Sequence, residues 1–245
     1  MKKNILFILL FIAATPAYAA SSCLPFNGEV MKFAVGWEFV TAGTATMRFS
    51  NTEGAAYRID TDARTNKFFD IFKKVRDTIV SEGICINDKP QSTLFDLEQN
   101  ERKYHAKKRT EYVWKENKVI YTHNGKTDSY DVPAGHLNVL DAFFLTRTLP
   151  VEEGKVLIIP VFDSRERYEI EVRLLKKVKL RAPWGKWVEC LLIEPKLKTG
   201  GIFSSAGTIK VWLTNDERRI PLKMTAKIKI GSIMVRLTDY QAPGA

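Results

Sequence analysis

Histidine and cysteine are both scarce in this 245-residue chain, three of each, and that scarcity removes several chemistries at once. His105, His123 and His136 form no pair at close spacing and sit in polar or turn-like contexts, so a zinc site built on them is not indicated. Cys23, Cys85 and Cys190 are too widely spaced for a metal site of cysteines alone, and none carries the sequence signature of an activated thiol. There is no Gly-x-Ser-x-Gly, hence no serine nucleophile on a strand–helix elbow. The Gly- and Ser-rich stretch 198–207 lacks the Lys-Ser or Lys-Thr ending of a phosphate-binding loop, and Ser204-Ser205 within it reads as part of a β–β connection. Beyond the amino terminus no apolar run approaches the roughly 20 residues that span a bilayer. Linkers rich in Pro or Ser, low-complexity tracts and internal repeats are also absent. The chain therefore reads as non-enzymatic on balance, with no catalytic residue, metal or cofactor assigned.

What is present begins with an export signal. Lys2 and Lys3 precede a continuous apolar run, Ile5 to Ala14; Thr15-Pro16 breaks it, and Ala17-Tyr18-Ala19 places small residues where a signal peptidase reads. Residues 1–19 are expected to be a cleaved leader and residues 20–245 one β-rich domain, delivered to the periplasm. Lipidation at Cys23, giving an outer-membrane lipoprotein, is the lesser alternative, because Ala20-Ser21-Ser22 lacks the usual upstream Leu. In an oxidising compartment two of the three cysteines can pair. Cys190 lies in an apolar strand and reads as a buried thiol, which makes Cys23–Cys85 the preferred pair.

The formal net charge is +10. A basic balance suits nucleic acid, but export argues against that partner and favours an anionic lipid or an acidic glycan. One basic cluster, Arg102, Lys103, Lys107, Lys108 and Arg109, interleaves with Tyr104, Tyr112 and Trp114; a second runs from Lys176 to Arg181. Both read foremost as solvated strand faces.

Period-two alternation dominates the rest. Met31, Phe33, Val35, Trp37 and Phe39 share one phase, which resumes at Ala45, Met47 and Phe49 and again at Tyr57, Ile59 and Thr61. The later half repeats it at Tyr168 to Leu174, Ile209 to Leu213, Leu222 to Ile230 and Ile233 to Leu237. One apolar face on nearly every strand requires a sheet that bends onto itself. The expected fold is mainly β: an antiparallel, strongly curved sheet or partly open β-barrel with one central helix, able to hold side chains or one small ligand inside. The helix is expected over Leu137–Leu149, introduced by Asp131-Val132-Pro133-Ala134-Gly135 and stopped by Pro150.

Asn66 to Val75 breaks the alternation. Phe68, Phe69, Ile71 and Phe72 are followed by Lys73, Lys74 and Arg76, which suits either a helix plugging the barrel end or an interfacial segment touching membrane or lipidic ligand. The ligand-binding candidates are thus Phe68, Phe69, Phe72 and Trp37. Arg147, on an otherwise apolar helix, is a further candidate, although a structural salt bridge is its simpler use. Carboxylates at Glu152-Glu153 and Asp163–Glu166 keep open a cell-envelope hydrolase with scattered acids.

Several segments in order resemble domain-of-unknown-function family 3108 (DUF3108), a family of exported bacterial proteins. They are Pro25 to Glu29, Val35-Gly36-Trp37 to Ala45, Asp141 to Arg147, Val211 to Asp216 and Arg219 to Lys223. The resemblance implies export and covers nearly the whole chain after the leader, but implies no reaction. The late hairpin is also similar, at the level of fold, to periplasmic lipoprotein carriers of the Lol type. The functional expectation is a periplasmic protein that binds an apolar or amphiphilic envelope ligand or an envelope protein, or serves as a structural partner in an envelope complex.

Overall fold

The computed structural model describes residues 23–38, 40–197, 207–228 and 231–244. The expected leader, Phe39, Ile230 and Ser204-Ser205 lie outside them. Within them the chain forms one antiparallel sheet of 14 strands that does not close on itself. The first eight are β1 (Val30–Trp37), β2 (Val40–Asn51), β3 (Ala56–Thr65), β4 (Arg76–Ile86), β5 (Lys89–Glu101), β6 (Tyr104–Val113), β7 (Lys118–His123) and β8 (Lys126–Asp131). The last six are β9 (Val156–Asp163), β10 (Glu166–Arg181), β11 (Trp187–Leu197), β12 (Ile209–Thr214), β13 (Pro221–Lys227) and β14 (Ser232–Gln241). Each half is a meander of sequential neighbours, and the halves join through β1 against β14.

The counted alternation is what curls this sheet. Met31, Phe33, Phe49, Tyr57 and Ile59 are all buried, while Lys32, Arg48 and Arg58 on the other phase remain at least partly in water. Close packing at the bend needs a residue without a side chain. A Cβ on Gly43 would collide with the Arg64 carbonyl on the neighbouring strand. Pro221, which has no N–H, opens β13, the strand start where a missing donor is tolerated.

The edge strands β8 and β9, each paired on its inner side to β7 and β10, do not pair with each other. Their seam is sealed by side chains and by the segment between them: Leu137 makes a parallel bridge to Val161, the Tyr112 hydroxyl donates to the Phe162 carbonyl at 3.2 Å, and Tyr130 packs on the Phe162 ring. Tyr112 and Trp114 belong to this packing. They therefore do not join the basic cluster with which they interleave in sequence, whose Arg109 instead meets Asp96 and Glu111 on the outer face.

Among the described residues there are two short α-helices, one of them central, and a single 3-10 turn at Trp114–Glu116. α2 (Val139–Thr148) is the expected central helix; the Asn138 side chain caps it by accepting from the N–H groups of Leu140 and Asp141. α1 (Lys67–Lys73) joins β3 to β4, capped by Asn66. It does not plug the barrel end: Phe68, Ile71 and Phe72 are 64%, 72% and 61% exposed, because the connection projects beyond the strand ends and meets no second layer.

Cys23 and Cys85 are joined by a disulfide across 62 residues of sequence, tying the chain before β1 to the end of β4; Cys190 is buried and unpaired. Closing a loop of that length restricts the unfolded chain by roughly 4 kcal/mol in the chain-entropy account. Cys85→Ser, or reduction of the wild type, is expected to lower stability by about that amount in urea titrations. Cys190→Ser should not reproduce that loss of loop closure.

Candidate functional site: an apolar cavity beside a central helix

A ten-residue helix is about 15 Å long, too little to fill the space enclosed by 14 curled strands. α2 leans toward β4, β5 and β9, and on its other side an apolar cavity of about 380 Å³ remains. Val139, Leu140, Ala142, Phe143 and Thr146 of α2 form one wall. The opposite wall comes from β10 to β14, with Met47 of β2 beside it. Among the described residues no charged side chain lines the space, and Thr146 and Thr225 are the only hydroxyl-bearing residues there. The Thr146 hydroxyl is already committed, donating to the Ala142 carbonyl at 2.8 Å.

The depth of the cavity is read from burial. Val172, Ile193, Val211 and Leu213 are buried, whereas Ile170, Pro195, Ile209 and Ala226 are half-buried and Ile233 is exposed. The register turns that gradient into a direction. Ile209 pairs with Ala226, Ala226 with Ile233, and Ile233 with Trp37. The outermost row of the cavity wall therefore runs on to Trp37, which is 45% exposed and lies at the mouth.

Two buried polar anchors hold α2. At its carboxyl end Arg147 and Glu29 form a two-pronged ion pair at 2.6 and 2.7 Å, with both side chains fully buried. The guanidinium also donates to the carbonyls of Arg218 and Arg219 and stacks over the Phe26 ring at 4.0 Å, and the Tyr240 hydroxyl donates to Glu29. Arg147 is thus committed to the turn before β1 and the β12–β13 turn, away from the cavity. At the amino end Asp141 accepts from Ser81 and Ser92 and from the Asn138 amide at 2.9 Å. Burial pushes the Asp141 carboxyl up to about 6, opposed by those hydrogen bonds, Ser92 first. A Cβ on Gly83 would collide with the Tyr57 ring beneath it, and burial raises that phenol's pKa.

Because the folded state holds the Asp141 proton more tightly than the unfolded chain does, this group adds stability as pH falls from above 6 toward about 4. From pH 7 to 4.5 the wild type is expected to gain about 2 kcal/mol relative to Asp141→Asn, measured by denaturant titration at both pH values. An unchanged difference would contradict the assignment.

The sequence candidates divide into three places. Trp37 stands at the mouth, Arg147 is sealed at the far end, and Phe68, Phe69 and Phe72 cluster on α1 with ring centroids 5.4 to 6.3 Å apart. The cavity walls were missed, as were Glu29, Ser81 and Ser92. A signal existed for the serines, since Ser81 lies on the buried phase with Gly83, and a polar residue on a buried phase calls for a polar partner. Cys190 is buried, and burial pushes its thiol up to about 11. No group of three or more His, Cys, Asp or Glu is placed to hold a metal among the described residues, and no described helix is long and apolar enough to cross a membrane.

A family model described as "Protein of unknown function (DUF3108)" matches residues 32–238. No curated protein matches the chain. Among solved structures, the "Beta-barrel-like Protein of Domain of Unknown Function DUF1849 from Brucella abortus" is similar, with a TM-score of 0.60 and 11% identity. The match covers 92% of this chain and 100% of that one. At such low identity it bears on the fold alone, which it gives as barrel-like.

Proposed function

The chain belongs to the DUF3108 family of proteins of unknown function, and from that premise we propose that it is an exported, non-enzymatic protein that binds one apolar or amphiphilic envelope molecule in the cavity beside α2. The observation that carries this reading is the cavity itself: about 380 Å³, walled by aliphatic and aromatic side chains and graded from buried to exposed toward one end. That volume falls within the roughly 300–1,000 Å³ of small-molecule sites. Apolar cavities of roughly 150 Å³ already stay dry and take up benzene. An envelope hydrolase would need carboxylates across a cleft, and none lines this space among the described residues.

Export is supported by the sequence of residues 1–19 and by the Cys23–Cys85 disulfide, a bond that persists in oxidising compartments. The same disulfide occupies the Cys23 sulfur, which speaks against lipidation there. The test is native mass spectrometry of protein released gently from the periplasm without detergent, followed by solvent extraction. A co-purifying apolar or amphiphilic molecule is the expected result. Apo protein throughout, together with no uptake of an alkyl-chain fluorophore, would reject the reading.

A further inference from the structure

A soluble fold normally hides its aromatic side chains, and α1 hides almost none. None of its residues is buried, and Phe68, Ile71 and Phe72 stand mostly in water as one contiguous patch with the half-buried Phe69. The helix itself is not loose. Asn66 anchors it to β2 by donating to the Thr41 and Ala42 carbonyls, and Asp70 ties it to β4 through Arg76 at 2.7 Å. Arg102, at the β5–β6 turn, donates to the Phe72 carbonyl at 3.0 Å. A helix fixed at both ends so that it holds its greasy face outward is built to meet something.

The charge around the patch selects what it meets. Asp70 and Glu101 are neutralised by Arg76 and Lys73. Lys67, Lys74 and Lys103, all exposed, close no ion pair among the described residues, and Arg102 lies beside them. Aromatic side chains flanked by an excess of positive charge match the boundary of an anionic bilayer, where rings enter the headgroup layer and ammonium groups meet phosphate.

The same end of the sheet carries the cavity mouth. Trp37 pairs with Val40 across the β1–β2 turn and with Ile233 on the other side; both Trp37 and Val40 are exposed. Thr41 and Ala42, next along β2, hold the Asn66 cap of α1. Trp37 and Val40 thus form an exposed apolar rim between the outer cavity row and the Thr41–Ala42 segment that holds the Asn66 cap of α1.

We propose that this rim, with α1 as its contact helix, docks the protein on the surface of an anionic phospholipid bilayer. The inference goes beyond the cavity reading and does not rest on it, since the exposed aromatic patch would need a partner even beside a filled core.

The experiment is co-sedimentation of the purified mature protein with mixed phosphatidylethanolamine–phosphatidylglycerol vesicles and, in parallel, with pure phosphatidylcholine vesicles. Binding to the anionic vesicles should exceed that to the neutral ones and weaken as salt is raised. Phe68→Ser with Phe72→Ser, and separately Lys67→Glu with Lys74→Glu, should each lower anionic-vesicle binding about tenfold or more. Unchanged melting curves are expected, because these side chains are exposed. Absence of binding by the wild type, equal binding to both vesicle types, or full binding by either variant would overturn the proposal. So would a concentration-dependent dimer in sedimentation equilibrium abolished by the same variants, which would assign the patch to a second copy. Val211→Phe, which narrows the buried part of the cavity away from the rim, should leave vesicle binding intact, so failure of the ligand reading and failure of docking are separately visible.

Discussion

Glu29→Ala is expected to destabilise the protein by about 3–5 kcal/mol, because it strands the Arg147 guanidinium in a site from which water is excluded. The cost is not the worth of the pair. Moving both charges out of water is itself expensive, and a pair of apolar residues of similar volume could fill the space nearly as well. Arg147→Met should therefore be damaging for the complementary reason, leaving the Glu29 carboxylate with the Tyr240 hydroxyl as its remaining close donor. The double variant Glu29→Leu/Arg147→Met should recover a large part of the loss, short of all of it, because the Arg218 and Arg219 carbonyls still lack their donors. Urea titration of the four proteins gives the coupling directly; additive losses would mean that the two residues act separately. The consequence for function is positional, since this clamp fixes the end of the helix that forms one cavity wall.

Filling the cavity is the second large effect. Ala226 is half-buried on β13 and faces the empty space. Ala226→Trp should place an indole where a ligand would lie and lower the uptake of an alkyl-chain probe by at least about a hundredfold. Overpacking a tight core costs about 1–3 kcal/mol, but here the added ring enters vacant volume, so the melting temperature should hold or rise. For the wild type, lengthening a linear probe by two carbons should tighten binding roughly tenfold, since each seated methylene contributes about 0.8 kcal/mol. That gain should stop once the chain outgrows about 380 Å³. Probe affinity measured by fluorescence displacement on both proteins checks the pair of expectations. Undiminished uptake by Ala226→Trp would place the probe elsewhere.

The parts of this architecture that were legible in the sequence are those written in local periodicity. Met31, Phe33, Phe49 and Ile59 fall on one phase and are buried on one face, and the helix expected over Leu137–Leu149 is found at Val139–Thr148. Long-range facts were less accessible. Glu29 meets Arg147 across 118 positions, and nothing near either residue names the other. α1 carries the composition of a plug as well as that of an interfacial helix; its exposure beyond the strand ends removes the plug. The cavity was least legible, because it arises where side chains fail to meet. Val211, Val172 and Phe143 look like ordinary core residues in the chain, and only the lean of α2 toward β4, β5 and β9 leaves space in front of them.

The most direct measurement of the central claim is amide-resolved NMR of the isotopically labelled mature protein with a fatty acid bearing a nitroxide at its chain end. Attenuation should concentrate at the amides of Ala142, Val211, Leu213 and Val235, around the space beside α2. Attenuation confined to outward-facing strand positions, or none at saturating probe, would contradict a cavity that receives an apolar chain.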